Sequence, residues 1–219
     1  MLIIPSILVK TSKKLQKQLQ SINQSVDRVQ IDIADGIFVN NKTISDPETV
    51  AKYCKIEVEL HLMVSQPLKE LAKWQKVEQI QKVLIHFESV KNLHDIFPTL
   101  HAYGWEIGIV LNPETDAKVL DEYINEIKGV MFMGVNPGKQ GQKLLPKVLT
   151  NIRKFKTKYP KMFVELDGGI NKNNLEKIIA SGTDAICPGS AIFSNENKPA
   201  DNIKQLEKII NSLNNLTKK

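Results

Sequence analysis

Three side chains able to move protons or hold a metal each stand at or near the end of a short apolar run. Asp32 follows Val29-Gln30-Ile31 and leads through Ile33-Ala34 to Asp35-Gly36. His61 stands near the end of Val58-Glu59-Leu60-His61-Leu62-Met63, and Asp167 closes Phe163-Val164-Glu165-Leu166 just before Gly168-Gly169. Two carboxylates on opposite faces of a planar intermediate can invert a carbon centre, one removing a proton and the other returning it from the far side. A carbon acid beside a ketone is weak, so its enediolate needs electrostatic support. A divalent metal held by the two carboxylates and the imidazole would supply it as a Lewis acid. Gln30, two residues before Asp32, lies on the same face of its strand. Either aspartate alone reads more readily as a helix cap or part of a buried charge network. All three groups at strand ends favour chemistry.

The elements that would position them alternate along the chain. Strands are expected at Leu2–Leu8, Arg28–Ile33, Glu57–Met63, Lys82–Phe87, Glu106–Leu111, Gly129–Val135, Met162–Leu166 and Ala185–Pro188, each followed by helical sequence. Helical stripes include Leu15, Leu19 and Ile22, then Leu144, Leu145, Val148, Leu149, Ile152 and Phe155, and last Ile203, Leu206, Ile209, Ile210 and Leu213. Pro47 and Pro67 suit first turns of helices, while Asn112-Pro113 and Asn136-Pro137 stop strands. This alternation predicts an α/β fold, a single-domain (β/α)8 TIM barrel over residues 1–219 with a frayed tail at 214–219. A doubly wound open sheet is the rival, but no G-x-G-x-x-G follows the first strand.

In such a barrel the C-terminal strand ends carry the site. Ser6, Asp32, His61, Asn112, Asn136 and Asp167 fall there. His86 also points that way, in a supporting role, whereas His94 and His101 read as surface or packing residues. Glycines cluster after the last three strands: Gly138 and Gly141 around Lys139-Gln140, Gly168-Gly169, and Gly189-Ser190. Glycine lets backbone amides approach an anion without a Cβ clash. Three such clusters on adjacent loops predict a phosphorylated small molecule as ligand.

The net charge of +6 comes from lysines spread over the whole chain rather than gathered in a stripe, and aromatic residues are only 6%. Both argue against nucleic acid and leave a mildly positive field that would help capture an anionic substrate. No apolar run nears the roughly 20 residues of a membrane span, so no membrane partner is expected. The N-terminus lacks the marks of a signal peptide. Cys54 and Cys187 form no CxxC pair or zinc spacing, which suits a reducing cytoplasm.

The chain resembles the ribulose-phosphate 3-epimerase family from Ile3 to Phe193. The likeness runs through Pro5-Ser6-Ile7-Leu8, Asp32-Ile33-Ala34-Asp35-Gly36, Phe38-Val39 with Asn41 and Thr43, and His61-Leu62-Met63-Val64. It continues in Gly108–Pro113, Val135-Asn136-Pro137-Gly138, Gly141-Gln142, Asp167-Gly168-Gly169 and Gly189–Phe193. The resemblance implies interconversion of D-ribulose 5-phosphate and D-xylulose 5-phosphate by inversion at C3. It makes Asp32 and Asp167 the acid/base pair and, with His61, ligands of one divalent metal ion (zinc, iron, manganese or cobalt). Ser6 would touch substrate, the loops of Gly138, Lys139, Gln140 and Gly141, of Gly168-Gly169 and of Gly189-Ser190 would hold it and its phosphate, and Met63 and Met133 would pack over the enediolate. A homo-oligomer is expected as well.

The departures are specific. Gln30 replaces the histidine that serves as fourth metal ligand, and an amide oxygen is a poorer ligand than imidazole for zinc or ferrous iron, so the metal is expected to be weakly bound. Ala34 replaces a methionine and opens space, Ile37 stands where a polar residue is common, and Lys139-Gln140 replaces a Phe-Gly pair. Two other readings follow: an epimerase of a 6-carbon ketose 6-phosphate, or a sugar-phosphate-binding protein that has lost catalysis.

Overall fold

The structure is a computed structural model that describes residues 1–194 and 196–216. Its strands are β1 (Leu2–Ile3), β2 (Ser6–Ile7), β3 (Arg28–Ala34), β4 (Glu57–Met63), β5 (Ile80–His86), β6 (Glu106–Leu111), β7 (Gly129–Met133), β8 (Phe163–Asp167) and β9 (Ala185–Cys187). All pair in parallel, in the order β1-β9-β8-β7-β6-β5-β4-β3-β2. The helices are α1 (Ser12–Ile22), α2 (Pro47–Tyr53), α3 (Pro67–Leu71), α4 (Phe97–Tyr103), α5 (Pro146–Lys158), α6 (Leu175–Ile179), α7 (Ser190–Phe193) and α8 (Pro199–Leu216). Among the described residues no helix is long and apolar enough to cross a membrane.

The first strand differs from the expected run Leu2–Leu8, because it breaks at Ile4-Pro5. β1 pairs with β9 through Leu2↔Ala185 and Ile3↔Ile186, whereas β2 pairs with β3 through Ser6↔Gln30 and Ile7↔Ile31. Pro5 has no N–H to give a ladder, but its carbonyl accepts the Gln30 N–H at 2.9 Å. One extended segment therefore joins both edges of the sheet, and the parallel strands close into the (β/α)8 barrel. Two connections also depart from expectation. The link after β6 makes only a 3₁₀ turn, Ala117–Leu120, capped by Asp116. The stripe that begins at Leu144 starts outside its helix: Leu145 is the extended N-cap and Pro146 the first helical residue.

Side chains alternate across each strand, and the two faces differ sharply. One face, with Ile31, Ile33, Leu60, Leu62, Val83, Ile85, Val164 and Leu166, packs on the helices. The other fills the barrel and is polar toward its middle: Gln30, Asp32, Glu59, His61, Lys82, Glu165 and Asp167 are all buried. Glu59 and Glu165 lie two residues below His61 and Asp167 on the same strands, and near Cys187. Lys82 reaches across to them, its Nζ 2.6 Å from Glu165 Oε1. Two glycines make room for that lysine. A Cβ at Gly108 would stand 3.0 Å from Lys82 Cε, and one at Gly129 3.2 Å from Lys82 Nζ. The cation offsets carboxylates that burial alone would make very costly.

Candidate active site

Two openings lie at opposite ends of the barrel. The larger, about 960 Å³, sits at the N-terminal ends of the strands between Met1, Arg28, Glu57, Lys128 and Ile210. The smaller, about 40 Å³, lies at the C-terminal ends and is lined by Ser6, Asp32, Met63, Met133, the loops 137–142 and 167–170, and Cys187–Ser190. Barrel enzymes do their chemistry at the second end, and the polar constellation is there.

At its centre four atoms form a tight diamond. Gln30 Nε2 donates to Asp32 Oδ1 at 2.7 Å and to Asp167 Oδ2 at 3.0 Å. His61 Nδ1 lies 2.9 Å from the same oxygen of Asp32 and 3.3 Å from that of Asp167. Two carboxylate oxygens are thus bridged by two nitrogens, which are themselves 3.2 Å apart. Register explains the meeting: Asp32 pairs with His61 across β3 and β4, and Gln30 is one inward step below Asp32. Behind the diamond, His61 Nε2 meets His86 Nε2 at 2.9 Å, and His86 Nδ1 lies 3.5 Å from Glu88 Oε2.

The electrostatics follow from burial and pairing. Burial opposes charge on His61, but hydrogen bonds to Asp167 and Asp32 outweigh it and push its pKa up to about 10. His86 shares the burial and faces the His61 charge, so its pKa falls to about 4 despite Glu88. An imidazolium therefore stands against the carboxylates with a neutral imidazole behind it. Burial raises the Asp32 pKa and the charge of Asp167 adds to this, opposed by the bonds from His61 and Gln30. A carboxyl group displaced upward into a more weakly acidic range is suited to passing a proton both ways.

The donor set also fits a metal. Asp32, His61 and Asp167 each offer one ligand atom, all within 4.8 Å of one another. Gln30 now faces that point with its NH₂, which is not a ligand. Its Oε1 is buried and has no hydrogen-bond partner, so turning the amide over would bring a fourth ligand atom, an oxygen, to the set.

The structure gathers most of the residues expected from the sequence. Ser6, Met63, Met133, Gly138, Lys139, Gln140, Gly141, Gly168, Gly169, Gly189 and Ser190 line the one cavity with Asp32 and Asp167. Lys139 is exposed at its rim. Asn112 directly follows β6 and Asn136 stands three residues past the end of β7, and neither lines the cavity. The space left by Ala34 does not enlarge it, because Ala34 is buried in a small cluster with Val39, Met63, Leu8 and Phe38. Gly168 and Gly169 have left-handed backbones, and a Cβ there would strike Val135 at 2.5 Å and the Leu144 backbone at 2.4 Å. Close loop packing requires these two glycines whatever binds beside them. Glu88 was not legible as part of the site; its only sequence signal is its place just after the His86 strand end.

Asp35 marks a different role for the first Asp-Gly step. Its carboxylate accepts the N–H groups of Ile37 and Phe38 at 2.8 and 2.9 Å and those of the Ser65 backbone and hydroxyl at 2.7 and 2.8 Å. It braces the loop after β3 against the end of β4.

A closed parallel barrel with an Asp–His–Asp cluster at its C-terminal mouth defines a barrel enzyme built for proton or metal chemistry. The chain belongs to the ribulose-phosphate 3-epimerase family, which its sequence matches over residues 2–193. It is similar to "Ribulose-phosphate 3-epimerase" of Buchnera aphidicola, at 31% identity over 206 residues and 90% of each chain. The protein of the same name from Bacillus subtilis is 28% identical over 90% of this chain and 94% of its own. Among solved structures, 3-hexulose-6-phosphate synthase superposes with a TM-score of 0.71 at 16% identity, over 96% of this chain and 100% of that one. Orotidine 5'-monophosphate decarboxylase from Sulfolobus solfataricus gives 0.68 at 15%, over 96% and 98%. At such identities these two show the shared fold.

Proposed function

We propose that this chain is an active epimerase that interconverts D-ribulose 5-phosphate and D-xylulose 5-phosphate by inversion at C3. The observation that carries this reading beyond family membership is the diamond of Gln30, Asp32, His61 and Asp167. It holds two carboxylates together at the cavity with only one oxygen of each in the bridge. One aspartate, as the carboxylate, takes the C3 proton, and the other, as the carboxylic acid, delivers its own proton from the opposite face. The buried His61 imidazolium supplies positive charge close to the developing enediolate, while the Gln30 amide, with both N–H bonds spent on Asp32 and Asp167, holds the two carboxylates in place. With His61 in its neutral form, Asp32, His61 and Asp167 would hold a divalent metal, which when bound supplies Lewis-acid stabilisation of the enediolate oxygens in place of the imidazolium. Ser6, Met63 and Met133 shape the pocket around the sugar. Backbone amides near Gly168-Gly169 and Gly189-Ser190 would receive the phosphate.

The same reading takes residues 1–219 as one barrel domain, cytoplasmic in keeping with two free buried cysteines. It also includes a homo-oligomer, for which Ile37, 77% exposed, offers an apolar contact. The buried packing of Ala34 supports a pentulose rather than a hexulose phosphate as substrate.

The test is turnover of D-ribulose 5-phosphate beside a hexulose 6-phosphate, with and without added zinc, iron, manganese or cobalt. Formation of D-xylulose 5-phosphate, faster than any reaction of the hexulose, is expected. Hexulose turnover equal to or better than that of the pentulose would contradict the reading.

A further inference from the structure

The cavity at the C-terminal mouth has about 40 Å³ of space. A water molecule takes roughly 30 Å³ of the liquid, and sites for drug-sized ligands run to roughly 300–1,000 Å³. A ketose phosphate therefore needs space that another group holds. That group is Gln140. A Cβ built on Gly189 would stand 2.1 Å from Gln140 Nε2, 2.8 Å from its Cδ and 2.8 Å from Ser6 Oγ. The carboxamide thus lies directly on the Gly189 backbone, wedged toward Ser6.

Its hold is weak. Gln140 Nε2 donates to the Ser6 carbonyl at 3.4 Å, at the long limit of a hydrogen bond. The rest of the loop is anchored separately. Asn41 Nδ2 donates to the Gly138 carbonyl at 2.8 Å, and Gln142 Nε2 donates to the Asn136 and Lys139 carbonyls at 2.7 and 2.8 Å. The backbone of Gly138 lies against Val39, where a Cβ would come within 2.8 Å. The Gln140 side chain can swing out by bond rotation while the loop stays in place.

We infer that Gln140 is a displaceable stopper, whose carboxamide occupies the place between Ser6 and Gly189 that the substrate's anionic end takes on binding. This rests on the sugar-phosphate reading above and adds the residue that sets how readily the phosphate enters. A side chain at this position confers selectivity, because only a ligand whose anion gains more from the backbone amides than the stopper loses can replace it.

Inorganic phosphate is the probe, titrated calorimetrically into the wild-type protein, Gln140→Gly and Gln140→Ala, with folding checked by thermal melts. Phosphate affinity is expected to rise about 3- to 10-fold in Gln140→Gly, the scale of one weak hydrogen bond removed, and in the same direction in Gln140→Ala. The KM for D-ribulose 5-phosphate should fall by a similar factor. Equal affinities in the three proteins, weaker affinity in the variants, or no phosphate binding to any of them would overturn the inference; weaker binding would make Gln140 a grip. If the affinities shift as expected but D-ribulose 5-phosphate is not turned over, the epimerase reading fails and the stopper stands.

Discussion

At the scale of single residues, Gln30 decides how the centre is held together. Its NH₂ gives two hydrogen bonds that, beside the His61 nitrogen, hold two carboxylates together inside the barrel. Gln30→Leu keeps much of the volume and removes both bonds, so it should cost about 1–3 kcal/mol of stability, measured by denaturant unfolding. Gln30→His puts an imidazole where the amide now stands. It should raise zinc or manganese affinity by at least about 10-fold, read by competition with a chelator. A wild-type protein that already keeps one equivalent of metal through chelation would contradict this. On the proposed mechanism, Asp32→Asn and Asp167→Asn each remove one proton carrier. Both should lower kcat by about 10²- to 10⁴-fold, with KM much less affected.

At the scale of elements, two polar devices brace the strands that carry these residues. The Asp35 carboxylate ties the loop after β3 to the end of β4, and bonds from Ser65, Phe38 and Ile37 outweigh its partial burial and hold its pKa at about 2. A depressed carboxyl pKa favours the ionised folded state, so the stabilisation is complete above the unfolded value of 3.8 and is lost as pH falls toward 2. Thermal melts should therefore show Asp35→Asn less stable than wild type by about 2 kcal/mol at neutral pH, with the gap closing between pH 4 and 2. A gap independent of pH would sink this account of the loop. Deeper in the barrel, Lys82 and Glu165 join β5 to β8 beneath the site. Lys82→Met leaves the buried Glu165 without its cation and should cost about 3–5 kcal/mol. Replacing Lys82 and Glu165 together by Met and Gln should recover a large part of that loss, as measured by a double-mutant cycle.

At the scale of the whole molecule, the fold was legible because its signals are repeated. Apolar runs, helical stripes and proline stops recur along the chain, and one blurred unit does not change the count. The break at Ile4-Pro5 was not legible, because it depends on which edges the two halves join rather than on a local preference. The Asp32, His61 and Asp167 cluster could be anticipated from its position at strand ends. The diamond could not, since Gln30 reads as a defective metal ligand until its amide is seen bridging both carboxylates. Gln140 likewise stands in a glycine-rich loop whose sequence suggests an open cradle, and only packing on Gly189 shows the cradle filled.

The central claim is that Asp32 and Asp167 move a proton at C3 of a pentulose phosphate. Incubating the wild-type protein with D-ribulose 5-phosphate in D₂O and following the C3 proton by NMR tests it directly. The account predicts deuterium at C3 of both D-ribulose and D-xylulose 5-phosphate, with conversion lost in Asp32→Asn and Asp167→Asn. A wild-type protein that binds the sugar phosphate yet leaves its C3 proton unexchanged, with or without added metal, would contradict it.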